Sequence, residues 1–234
     1  SGGTFYTEGN YKLFENLLNW LDQNLWDKHD VNSSKMKELC KKFYKEKTLK
    51  RFDMFNSLYP SYNFPTKIND VSVTPLPLLL EQIPWEKLYD GIPSFIHGDL
   101  QFDNILINKD SKDFMLIDWR QDFASESQFG DVYYDISKLY GGIILNYDLI
   151  KKGLFKISQD ESEVIFDFAQ KNMTSKYLEI FEKYIQSKNL ELNRVLLLVG
   201  LIYVNMAPLH HEPFNFLLIA LGTQFLNKIN FKDL

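Results

Sequence analysis

Cysteine is almost missing from this chain. Cys40 is the only one in 234 residues, so no intramolecular disulfide can form and a reducing compartment is expected. Positive charge is also short. Lys and Arg number 26 against 31 Asp and Glu, a net charge of -5, which disfavours nucleic acid and anionic membrane surfaces as general partners. No charged-then-apolar signal segment opens the chain. Long hydrophobic runs are lacking too: Val195 to Val204 is the most apolar stretch, far below the ~20 residues of a membrane span, and it reads as a buried helix. Neither an internal repeat nor a low-complexity tract is found. A cytoplasmic protein is the expectation. What is present, 45% hydrophobic residues, suffices for a sizeable core in one large domain or two small ones.

The richest chemistry lies in Ile96-His97-Gly98-Asp99-Leu100-Gln101-Phe102-Asp103-Asn104-Ile105-Leu106, followed by Leu116-Ile117-Asp118-Trp119. An aspartate is followed five residues later by an asparagine and fourteen after that by a second aspartate. Phosphoryl transfer needs a carboxylate to orient and deprotonate an attacking hydroxyl, and oxygen ligands on neighbouring segments to hold Mg²⁺. Ser94 to His97, Asn104 to Ile107 and Phe114 to Asp118 read as short strands, separated by turn residues such as Asn108 to Asp113. A hairpin of this kind would bring Asn104 and Asp118 to one mouth, where two oxygen donors suit a hard cation. Asp103 and Asp113 read instead as turn residues that bond to backbone.

The spacing matches the kinase catalytic loop, Asp-x-x-x-x-Asn with a following aspartate. With its His-Gly-Asp opening, the segment resembles the aminoglycoside phosphotransferase and choline kinase superfamily, which phosphorylates small molecules on a protein-kinase-like fold. That resemblance implies Asp99 as catalytic base, Asn104 and Asp118 as Mg²⁺ ligands, ATP as phosphoryl donor, and His97 as a structural support. A Gly130-Asp131-Val132-Tyr133-Tyr134-Asp135 run extends it. In the family the second aspartate of such a run fixes the catalytic-loop backbone, which implies a supporting role for Asp135. Asp131 is better read as a helix N-cap, typically worth ~1 kcal/mol.

Elsewhere the pattern is mostly helical. Phe14, Leu17, Leu18, Leu21 and Leu25 mark one helix face, and Met36, Leu39, Cys40 and Phe43 repeat it. Pro75, Pro77 and Pro84 bracket a short apolar piece. Beyond a hinge at residues 140 to 153, Phe155 to Ser158 and Val164 to Phe168 read as a small hairpin. Three helices, Thr174 to Ser187, Glu191 to Met206 and Pro213 to Asn227, complete the chain. The expected class is α+β, mainly α-helical, with small hairpins carrying the catalytic loop. Ser1-Gly2-Gly3 is unlike the rest and is set aside as the remnant of an added tag.

Kinases of this type also have an N-terminal lobe, with a loop over the phosphates and a strand lysine. No Gly-rich loop and no Val-Ala-x-Lys strand precede His97. Residues 4–10 contain Tyr6, Glu8 and Gly9 and resemble the hinge that joins the lobes and lines the adenine pocket. Residues 11–234 resemble the C-terminal lobe, so the N-terminal lobe would be a missing partner and the lobe alone a weak or inactive transferase.

For the acceptor, the resemblance points to residues after Asp118 and to the last helices. Trp119, Arg120, His210 and His211 are the candidates. Arg120 could fork onto an acceptor phosphate or carboxylate, or pair with a structural carboxylate. The two histidines could hydrogen-bond a sugar or amino-acid acceptor, or serve a loop or cap. Such a lining suits an aminoglycoside polycation badly, while an aromatic cage for choline or ethanolamine stays open. The Asp-Trp-Arg-Gln and Pro-Leu-His-His stretches are most similar to family members associated with bacterial capsule and surface-sugar pathways, so a sugar or surface-polysaccharide precursor is the expected acceptor. Two other readings are a catalytically silent module whose exposed face binds a protein, and a metal-dependent hydrolase built on Asp99, Asp118 and His97.

Overall fold

The computed structural model describes residues 2–5, 9–108, 110, 113–120 and 122–234. The fold is α+β and mainly helical, with three small sheets among the described residues. Helix α1 (Tyr11–Asn24) starts at Asn10, whose side chain accepts from the Leu13 amide, and it buries Phe14, Leu17, Leu18 and Leu21 along one face. Each such side chain contributes about 1.5–3 kcal/mol on leaving water.

A second helix runs without a break from Ser33 to Leu58 as α2 (Ser33–Cys40), a π-helical turn (Lys41–Glu46) and α3 (Lys47–Leu58). Met36, Cys40, Tyr44 and Thr48 are all buried along it, one every four residues. Four residues overshoot a 3.6-residue α-turn by about 40° each time, and the wider π-turn takes up that drift. Between Pro75 and Pro84 the apolar piece is itself a helix, α4 (Leu76–Gln82).

The segment from His97 to Asp118 is built on a three-stranded antiparallel sheet of β1 (Gly2–Thr4), β5 (Ile105–Asn108) and β6 (Phe114–Leu116), in the order β1-β5-β6. Gly2 and Gly3 were expected to lie outside the fold. They pair instead with Asn108 and Ile107, and Phe5 just beyond is buried with its ring stacked on Phe102 at 4.6 Å. The register Ile105↔Leu116 and Leu106↔Met115 sends the first pair into the core and leaves the second on the open face. The strand expected over Ser94 to His97 is shorter, β4 (Pro93–Ser94), paired with β7 (Gly130–Asp131). His97 and Gly98 leave that ladder because their amides bond to Asp135 instead.

Helix α5 (Val132–Ile144) and the short α6 (Tyr147–Lys151) occupy most of the stretch expected as a hinge. The hairpin β8 (Phe155–Asp160) and β9 (Glu163–Phe168) is longer than expected and joins β2 (Lys67–Ile68) and β3 (Val71–Ser72) in a four-stranded sheet. Helices α7 (Thr174–Ser187), α8 (Leu192–Met206) and α9 (Phe214–Asn227) match the expected spans to within a residue. At the centre, α8 packs against α5 and α9. Together with the 3₁₀ turn Ala207–Leu209 that continues it, it forms the stretch Leu192–Leu209, 18 residues, long and apolar enough to cross a membrane by length and composition. Val195, Leu197, Leu198 and Val199 are fully enclosed by protein.

Candidate active site

One face of α5 grips the loop that follows β4. Asp131 caps the helix by accepting from the Tyr133 amide at 3.2 Å. One turn on, the fully buried Asp135 accepts from the amides of His97 (2.6 Å) and Gly98 (2.9 Å) and from Trp26 Nε1 (3.3 Å). Burial pushes the Asp135 carboxyl up, and the three donors oppose that rise. Three residues further, Lys138 Nζ lies 2.8 Å from Asp99 Oδ1, with both side chains nearly enclosed. Gly142, on the same face, lets the loop close in: a Cβ there would meet Gln101 Cβ at 3.3 Å.

His97 ties the loop to the strand beyond it. Its Nε2 donates to the Ile117 carbonyl at 2.7 Å, while Nδ1 accepts from the Asp99 amide at 3.2 Å, which assigns the ring proton to Nε2. Asn104 is buried, and its Nδ2 donates to the Asp99 carbonyl at 2.9 Å. Among the described residues Asn104 Oδ1 has no partner. Asp118 is exposed, has no hydrogen-bond or ion-pair partner among the described residues, and adopts φ +56°. Left-handed backbone at a residue other than glycine is uncommon and concentrates at functional sites.

Two adjoining cavities share Asp99, Arg120 and Lys138. The larger, about 630 Å³, is also lined by Asn104, Asp118 and His210; the smaller, about 280 Å³, by Lys47, Arg51 and Tyr134. The metal candidates therefore face one side of Asp99, and a basic, half-apolar pocket opens on the other. Arg120 Nε approaches Asp99 Oδ2 at 3.5 Å but is largely exposed, a pair that contributes little to stability. Asp103, read as a turn residue, also lines the larger cavity. Burial holds its carboxyl above the usual range, reinforced by Asp148 and opposed by nearby lysines.

Other candidates separate. Tyr6 and Glu8 lie outside the described residues. Gly9 donates its amide to the Phe5 carbonyl and lines a different cavity, about 440 Å³, which Asp99, Asn104 and Asp118 do not reach. Trp119 packs its ring 4.9 Å from that of His97 and donates to the Leu116 carbonyl; it lines neither of the two adjoining cavities. His210 reaches the larger one and packs against Phe214. Its imidazole is held below the ordinary value by burial and by His211 and Lys138. His211 is exposed and lines neither.

Lys138, Lys47 and Arg51 were not singled out from the sequence. Lys138 had a signal, since it follows Asp135 by three positions and so shares its helix face. Lys47 and Arg51 look like ordinary solvated helix charges. Among the described residues no group of three or more His, Cys, Asp or Glu is placed to hold a metal ion. Comparison of the chain with family models, with curated proteins and with solved structures finds no match.

Proposed function

We propose that the chain carries the catalytic and acceptor-binding machinery of an ATP-dependent kinase that phosphorylates a hydroxyl on a small molecule. The observation that supports this most is the position of Asp99. It lies between a cavity holding Asn104 and Asp118 and a pocket with room for a small acceptor. Oδ1 is fixed by Lys138, and Oδ2 is the oxygen to take the hydroxyl proton as the acceptor oxygen bonds to phosphorus and the phosphorus bond to the leaving diphosphate breaks. A base so placed typically contributes ~10²- to 10⁴-fold.

Asn104 Oδ1 and Asp118 fit Mg²⁺, which accepts one or two protein oxygens and takes its other ligands from water and phosphates. Bound there, Mg²⁺ would offset the charge of the nucleotide phosphates. Leu106 and Met115, cross-strand partners on the open face of the β5–β6 hairpin, offer an apolar platform beside these residues that suits a purine ring.

Calorimetric titration with ATP, with and without Mg²⁺, tests the reading. Binding that requires Mg²⁺, is lost in Asp118→Asn and survives in Asp99→Asn is the expected result. Absence of binding in every condition defeats the assignment.

A further inference from the structure

The smaller cavity carries an excess of positive charge on the side of Asp99 away from the metal candidates. Four cationic side chains line it, Lys47, Arg51, Arg120 and Lys138, against two carboxylates, Asp99 and Asp122. Asp99 is engaged with Lys138 and Arg120, and Asp122 Oδ1 accepts from the Ser125 amide at 2.6 Å. Lys47 and Arg51 have no carboxylate within salt-bridge distance among the described residues. Lys47 Nζ sits instead over the Phe43 ring at 4.0 Å.

From this arrangement we infer that the acceptor is an anion, a small polyhydroxyl compound whose carboxylate or phosphate seats between Lys47 and Arg51 while one hydroxyl reaches Asp99. The inference rests on the kinase reading for Asp99 and adds the substrate class.

The physical argument is one of unpaired charge. Lys47 is partly buried, and burial together with the charges of Arg51 and Lys138 draws its amine down to about 8. Holding like charges together away from water is unfavourable, and an anion between them removes that cost. Arg51 supplies a planar fork that matches either a carboxylate or a phosphate. The floor of the pocket is apolar, formed by Leu198, Leu201 and Ile202 of α8, which strengthens charge pairing by excluding water. In the same wall, Asn205 Oδ1 is buried without a hydrogen-bond partner among the described residues, an acceptor suited to a second hydroxyl. Asn104 and Asp118 do not line this pocket, so the charge is not arranged around the metal candidates.

The test titrates the full chain with D-glucuronate, D-glucose 6-phosphate, D-glucose and choline, by calorimetry or ligand-observed NMR, with Mg²⁺-ATP titrated in parallel. At least one anion should bind tenfold or more tightly than glucose or choline, and whether glucuronate or the phosphate does so tells carboxylate from phosphate. Lys47→Met and Arg51→Met should each weaken that binding about tenfold or more, and Lys47→Arg should keep it. Circular dichroism establishes that each variant is folded. Equal or tighter binding of glucose or choline, failure of both anions, or indifference to the two substitutions overturns the inference. If Mg²⁺-ATP binds while the anions fail, the kinase reading stands and the anionic acceptor falls. The converse removes the kinase reading and leaves an anion site.

Discussion

Lys138 Nζ and Asp99 Oδ1 stand 2.8 Å apart at the junction of two cavities. Each side chain is little exposed, so removing one partner leaves the other charge poorly compensated. Lys138→Met should destabilise the protein by about 1–3 kcal/mol in urea unfolding. Combined with Asp99→Asn the loss should be smaller than the sum of the single losses. Strict additivity would mean that the two side chains are not coupled.

Asp131 and Arg194 form a deeper pair. Asp131 also accepts from Tyr44 Oη at 2.7 Å and from the Ile92 amide at 2.9 Å, and Arg194 donates to the carbonyls of Lys87, Leu88 and Asp90. Arg194→Met should cost about 3–5 kcal/mol, read as a lowered urea midpoint with an unchanged slope. A loss within 0.5 kcal/mol, the usual range for a surface site, would show that the pair is not structural.

These two pairs also show what a sequence can reveal of a fold. The loop from His97 to Asn104 and the strand ending near Asp118 were legible because their chemistry is local: turn residues and apolar runs define the hairpin, and a short spacing brings the polar groups to one mouth. The terminal helices were legible from their apolar periodicity. Lys47 and Arg51 were not, because their place at the cavity depends on α3 packing against α8, a contact between residues far apart in sequence. Gly2 and Gly3 were misread for a related reason, since glycine carries no side-chain pattern and β1 exists only through its ladder with β5.

Asp118 sets backbone strain against the metal role proposed for it. At φ +56° an L-residue bears a steric cost that glycine does not. Asp118→Gly should leave stability unchanged or raise it by up to about 1 kcal/mol, while Mg²⁺-dependent ATP binding disappears. Loss of both stability and binding would mean that the carboxylate is structural.

Alkaline pH should destabilise the fold for a calculable reason. Burial pushes up the Cys40 thiol and the Tyr44, Tyr134, Tyr147 and Tyr203 hydroxyls, from ordinary values of 9.0 for the thiol and 10.0 for the phenols. A group raised in the folded state contributes stability below its unfolded value and loses it as pH climbs, because only the unfolded chain then releases the proton. The urea midpoint should hold up to about pH 8.5 and fall steeply above about pH 10. For the same reason Cys40 should resist thiol reagents at pH 8 until urea unfolds the chain. Prompt labelling of the native protein would contradict its burial.

The π-turn at Lys41–Glu46 makes the lining of the basic pocket tolerant of a one-residue deletion. Without the extra residue the helix would regain uniform α-geometry, and the steps of about 100° from Met36 to Thr48 would then come within about 20° of three full turns. Lys47 and Arg51 would keep their facing, as would Thr48 and Phe55, because a π-turn absorbs one inserted residue without turning the helix beyond it. An ancestor with an uninterrupted helix could have gained this turn by one in-frame insertion at little cost to the core. A two-residue deletion is different: it would turn α3 by about 100° and carry the pocket lining away, although the loop from His97 to Asn104 had not changed.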